Sequence, residues 1–140
     1  MKHCAESLLA MNEQHLQILY GRLDVYKVAK LLADRVWDIA GGWGAYDRDT
    51  VGLELQRASD AIPRYISEGV GWGDASSNRR CVKNARSALF EVRHWMGKAG
   101  RRDLFSESEA GELKIMVDIL SEKLKLYLDA LESMPQRGRR

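Results

Sequence analysis

Little in this chain interrupts a helix. It holds two prolines in 140 residues, and no stretch alternates apolar and polar side chains as a half-buried strand does. The two cysteines, Cys4 and Cys81, stand far apart, so their spacing encodes neither a disulfide framework nor a zinc knuckle. His3, His15 and His94 lack the i,i+4 spacing of a helical metal site, and no metal or cofactor is expected. No run approaches the roughly 18 consecutive apolar residues of a membrane span. Residues 1–20 also lack the basic-then-apolar order of a secretory signal, so a cytoplasmic chain without a membrane partner is expected. The net charge of +2 is too small to imply a polyanionic partner, and any such reading must rest on where the cations cluster.

What the chain does have is helical periodicity, divided at clusters of glycine. The spacing predicts a first helix over about 23–40, with Val25, Ala29, Leu32, Val36 and Ile39 inward and Lys27, Lys30, Asp34 and Asp38 outward. Glycines 41, 42 and 44 end it. A second helix is expected from an N-cap at Thr50 to Glu68, bent or loosened at Pro63, with Val51, Leu55, Ala58, Ile62 and Tyr65 or Ile66 inward. A third covers about 77–99 on Val82, Ala85, Leu89, Val92 and Met96, and its late glycines, Gly97 and Gly100, are expected to allow close approach. The fourth, about 106–132, opens with SESE, a serine cap followed by glutamates suited to a helix N-terminus. Its inner stripe is Leu113, Met116, Leu120, Leu124, Tyr127 and Leu131. The expected fold is all-α, an antiparallel up-and-down four-helix bundle over 23–132. Residues 1–22 are expected as an N-terminal extension with some helix, and 133–140 as a basic flexible tail.

The glycines of GVGWG at 69–73 raise the question of a phosphate loop. Such a loop follows a strand, whereas these follow a helical stripe, so a helix C-terminal cap is the expected role. On the fourth helix Ile115, Ile119 and Leu126 fall opposite the inner stripe. Three apolar side chains on one outward line predict a self-association surface, unless the N-terminal segment covers them.

Three stretches carry a family resemblance: LDVYKVAKLLADRV at 23–36, LQRASDAIPRYISEG at 55–69 and NARSALFEV at 84–92. They resemble the four-helix bundle family that includes the protein encoded in intervening sequences of bacterial large-subunit ribosomal RNA. Leu23, Val25, Tyr26 and Ala29 match its first-helix pattern. Gln56, Arg57, Ala58, Ile62, Pro63, Ile66, Glu68 and Gly69 match its second-helix signature, with Ala61, Tyr65 and Ser67 departing from it. Ala85, Arg86, Leu89 and Glu91 echo its third-helix pattern, where Ser87 and Ala88 depart. A distant branch, the accessory variability determinant proteins of diversity-generating retroelements, implies by resemblance a basic homopentamer with RNA and a reverse transcriptase as partners.

Arg79, Lys83, Arg86 and Arg93 recur on one line of the third helix with Phe90 among them, and Arg80, Arg101 and Arg102 extend the basic surface, joined by Arg137, Arg139 and Arg140 of the tail. Cations neutralise phosphates and an exposed aromatic stacks on an unpaired base, so the pattern suits RNA. A solvated face paired to acids of a neighbouring helix fits the residues equally well, and the resemblance favours RNA. Glu68 and Glu91 have ordinary explanations at helix ends or as partners of arginines such as Arg57, and no catalytic constellation emerges. Cys81 is expected to pack, and Trp37, Trp43, Trp72 and Trp95 to anchor a core or interface. The expectation is a non-enzymatic RNA-binding homo-oligomer; the alternative is an adaptor that binds a protein through its apolar surface.

Overall fold

The computed structural model describes the backbone of residues 2–134 and the side chains of 18–134. The elements run α1 (Lys2–Ala40), a one-turn α2 (Ala45–Asp47), a π-helical turn (Arg48–Gly52), α3 (Leu53–Gly71), α4 (Ala75–Arg101) and α5 (Glu107–Glu132). The described residues form no strand.

Four long helices close into a ring in which each touches two neighbours: α1 lies beside α3 and α5, and α4 beside α3 and α5. Ion pairs fix the directions. Arg35 meets Glu112 while Asp24 meets Lys123, so rising numbers on α1 face falling numbers on α5. Arg93–Asp118 and Lys83–Glu132 impose the same antiparallel sense on α4 and α5. Between α1 and α3, Gln56 donates to the Ala33 carbonyl at 3.3 Å, while Tyr26 sits beside Ile66 and Val70.

The core forms where the inner stripes meet. Val25, Ala29, Leu32 and Val36, then Leu55, Ala58, Ile62 and Ile66, then Val82, Ala85, Leu89 and Val92, and finally Leu113, Leu120, Leu124, Tyr127 and Leu131 are all buried. Met96 and Met116 pack against this core while partly exposed, and Val117 and Leu128 add buried positions beside the expected stripe. Removing these side chains from water is the main source of stability, at roughly 1.5–3 kcal/mol for each large aliphatic residue.

Several local features differ from the sequence expectation. The first helix does not start near Leu23; the N-terminal segment is helical and continuous with it through Gly21. A mid-helix glycine costs only about 1 kcal/mol, too little to end a helix that packs well afterwards. Thr50 is not an N-cap. It lies inside the π-helical turn and donates its hydroxyl to the Tyr46 carbonyl at 2.6 Å, so the helical path begins at Ala45. α3 continues past Glu68, and its glycines divide the work. Gly73 takes the left-handed conformation, φ +75°, that stops the helix, whereas Gly69 is helical and buried. A Cβ on Gly69 would collide with Asn78 Oδ1 and reach Cys81 Cβ at 3.0 Å, so this glycine lets α3 and α4 touch. Gly97 and Gly100 support no close approach: nothing stands within 4 Å of a Cβ built on either, and α4 continues to Arg101.

The caps of the last two helices follow local chemistry. Asp74 accepts the Ser77 amide at 2.9 Å, which holds its carboxyl below the ordinary aspartate range. Ser106 and Glu109 form a reciprocal capping box at the start of α5.

Candidate nucleic-acid interface

α4 is the charged element of the bundle. Between Ala75 and Arg101 it carries seven lysines and arginines against one acid, Glu91. α5, packed beside it, carries seven acids and three lysines. The basic line and the acidic helix therefore share a seam, and the seam is open. Between α4 and α5 runs a groove of about 680 Å³, with Lys83, Arg86, Phe90 and Arg93 on one side, Ser121, Glu122, Lys125, Asp129 and Glu132 on the other, and Leu89, Leu124 and Leu128 beneath.

The cations of the line differ in their surroundings. Arg93 pairs with Asp118 at 3.2 Å and Lys83 with Glu132 at 3.7 Å, the pairing to neighbouring acids that any basic helix face invites. Arg79 is partly buried and donates to the Leu131 carbonyl at 3.5 Å. Among the described residues Arg86 makes no ion pair, nor do Arg80, Arg101 or Arg102, which lie exposed on α4 and just past its end. Phe90 is 66% exposed in the middle of the groove. The Arg93–Asp118 and Lys83–Glu132 pairs are exposed and contribute little to stability. Arg137, Arg139 and Arg140 lie outside the described residues.

The outward apolar line of α5 is exposed as the spacing predicts: Ile115 at 61%, Ile119 at 45% and Leu126 at 60%. It runs beside the α1–α5 seam, where the two ion pairs cross, and Leu31, between Asp24 and Arg35 on α1, is exposed as well. Arg35 and Glu112 form a forked pair at 2.9 and 3.0 Å, which raises the guanidinium pKa and lowers that of the carboxyl.

Residues of the α3 signature have structural settings. Ile62 is fully buried, Pro63 lies within an unbroken α3, and Gly69 makes the close approach to α4. Arg57 does not reach Glu68 or Glu91, because it lies one turn from Glu54 and pairs there at 3.7 Å; Glu68 pairs with Arg64 at 3.9 Å.

The pattern of the 23S rRNA-intervening sequence protein family matches residues 21–126, from the middle of α1 to six residues before the end of α5. The chain belongs to that family. No curated protein matches it. In this intervening-sequence family member the buried stripes and the Pro63-to-Gly69 stretch are features of the fold, while the groove lies on α4 and α5, away from that signature.

Sequence reasoning missed a second concavity at the other end of the bundle. Trp37, Ala40 and Gly41 of α1 face Arg48, Gly52, Leu53 and Gln56 around the π-helical turn. Gln56 Oε1 is buried there without a donor among the described residues. No periodic pattern announces a π turn, which depends on where the incoming chain must join α3. The tryptophans divide between two settings: Trp43 packs on Phe105 and Trp95 on His94 and the core, while Trp37 and Trp72 are exposed. Cys81 is buried, and burial raises its thiol pKa. Among the described residues no three histidine, cysteine or acidic side chains gather as a metal site. No helix there is long and apolar enough to cross a membrane.

Proposed function

We propose that this protein is a non-enzymatic homo-oligomer that binds structured or looped RNA through α4, as an RNA-associated or ribonucleoprotein factor. One observation carries the reading: α4 concentrates seven cations and one acid on a single helix, with an exposed phenylalanine among the cations. The charge supplies affinity for phosphates through counterion release, and Phe90 supplies an aromatic face on which an unpaired base can stack. The family description supports a ribosomal RNA connection. The resemblance to the retroelement accessory proteins supports a pentameric ring and a reverse transcriptase partner. Assembly uses Ile115, Ile119 and Leu126, which leaves α4 free on the other side of α5.

Electrophoretic shift of a structured RNA across a salt series tests this. Binding whose logarithm falls with log salt, at about 0.7 to 0.9 per phosphate contact, is expected, with a smaller slope for Arg86→Gln. If no RNA is retained at low salt, the exposed apolar face becomes the working surface and the protein is an adaptor for a protein partner.

A further inference from the structure

The groove between α4 and α5 is more than a basic surface, because its α5 wall carries Glu122, Asp129 and Glu132 with Lys125 among them. Two ion pairs bracket it, Lys83–Glu132 and Arg93–Asp118, ten residues apart on α4. At 1.5 Å per residue they enclose a length of about 15 Å. Within that length Arg86 and Phe90 face Glu122, Lys125 and Asp129 over a floor of buried leucines, and among the described residues none of the five makes one of the ion pairs or ring contacts of the bundle. The antiparallel register of the two bracketing pairs places Phe90 opposite Glu122.

The α5 wall sets three acids against one cation, Lys125, while the α4 wall is all cations around Phe90, so an RNA backbone is held on the α4 side and turns a base into the groove. A base stacked on Phe90 turns its edge toward α5. There it meets a carboxylate, which accepts hydrogen bonds and cannot donate them. Uracil offers a single N–H flanked by two carbonyls, while cytosine and adenine each offer an amino group beside an acceptor nitrogen. Guanine alone presents two adjacent donors, N1–H and the N2 amine, matching the two oxygens of one carboxylate in a charge-assisted pair.

Building on the RNA reading above, we infer that the α4–α5 groove selects an unpaired guanine, stacked on Phe90 with its Watson–Crick edge donated to Glu122 and its flanking phosphate on Arg86. Glu122 is thereby a specificity residue, and the α4 cations are positioning contacts that read no sequence.

The test uses the full chain and four RNA hairpins that share a stem and differ only in whether one loop position is G, A, C or U. Fluorescence anisotropy should give about tenfold or tighter binding of the guanine loop, the range of one good bidentate contact. Glu122→Gln, which replaces one acceptor with a donor, should remove that preference while binding the other three loops at least as well. Asp129→Asn should keep it. Equal affinity for all four loops, or a guanine preference that survives Glu122→Gln, overturns the assignment and leaves the RNA reading in place. Failure of all four hairpins to bind overturns both.

Discussion

The glycines show how one residue type has opposite effects at two places. Gly69 sits where α3 and α4 touch, and an added Cβ would overlap Asn78, whose amide donates to the Tyr127 hydroxyl at 3.4 Å. Gly97 faces open space on α4. Gly69→Ala should therefore destabilise by about 1–3 kcal/mol through overpacking, and Asn78→Ala in the same chain should recover part of the loss. Gly97→Ala should stabilise by about 0.5–1 kcal/mol by favouring the helix and reducing the freedom of the unfolded chain. Urea denaturation of the three variants measures both signs. Glu112 provides a pH test at the same scale. Its hydrogen bonds from Arg35 depress its folded pKa, so its contribution is present above the ordinary glutamate range and is lost as pH falls through the lowered value. The melting-temperature gap between wild type and Glu112→Gln should be present at neutral pH, shrink with added salt, and vanish in acid.

α5 has two helical neighbours and turns a different face to each of them and to the core. One face fills the core through Leu113, Leu120, Leu124 and Leu131, another carries Glu112 and Lys123 to α1, and a third borders the groove with α4. Between the α1 and groove faces the outward line of Ile115, Ile119 and Leu126 stays largely exposed, with Leu126 bordering Gly21, Asp24 and Val25 of α1. Ile115→Glu with Leu126→Glu should dissociate the proposed oligomer, because a carboxylate buried without a partner costs several kcal/mol. Helical content should stay near wild type, since neither residue belongs to the core. Light scattering with circular dichroism checks both halves of this expectation, and an unchanged mass would assign the line to something other than self-association.

At the scale of the molecule, a net charge of +2 conceals a dipolar arrangement in which a basic helix lies against an acidic one. Long-range attraction of a polyanion should therefore come from α4, and salt should screen it within about 10 Å. Arg86→Gln should weaken binding to every RNA alike and lower the salt slope. Phe90→Ala should cost about 1–3 kcal/mol on looped or single-stranded RNA and little on a plain duplex, whose bases stay stacked. Gel shift with one hairpin and one blunt duplex separates the two effects, and equal losses on both would remove Phe90 from the stacking role.

Periodicity alone determined which side of each helix turns inward, because a 3.6-residue repeat commits apolar side chains to one face before any partner is specified. The buried positions from Val25 to Leu131 and the exposed Ile115, Ile119 and Leu126 were legible for that reason, as was the Ser106 cap, whose partner lies three residues away. Contacts between residues distant in the chain were not legible. Lys83 and Glu132, or Arg93 and Asp118, meet only because α4 and α5 pack antiparallel in one register, and that register decides which cations are paired and leaves Arg86 without an acid among the described residues. The same packing turned Gly69 from an apparent stop signal into a helix contact and joined the α4 and α5 walls into one groove. Local spacing records the direction of a side chain, whereas its neighbour across the bundle is set by the relative height of two helices, which only tertiary packing supplies.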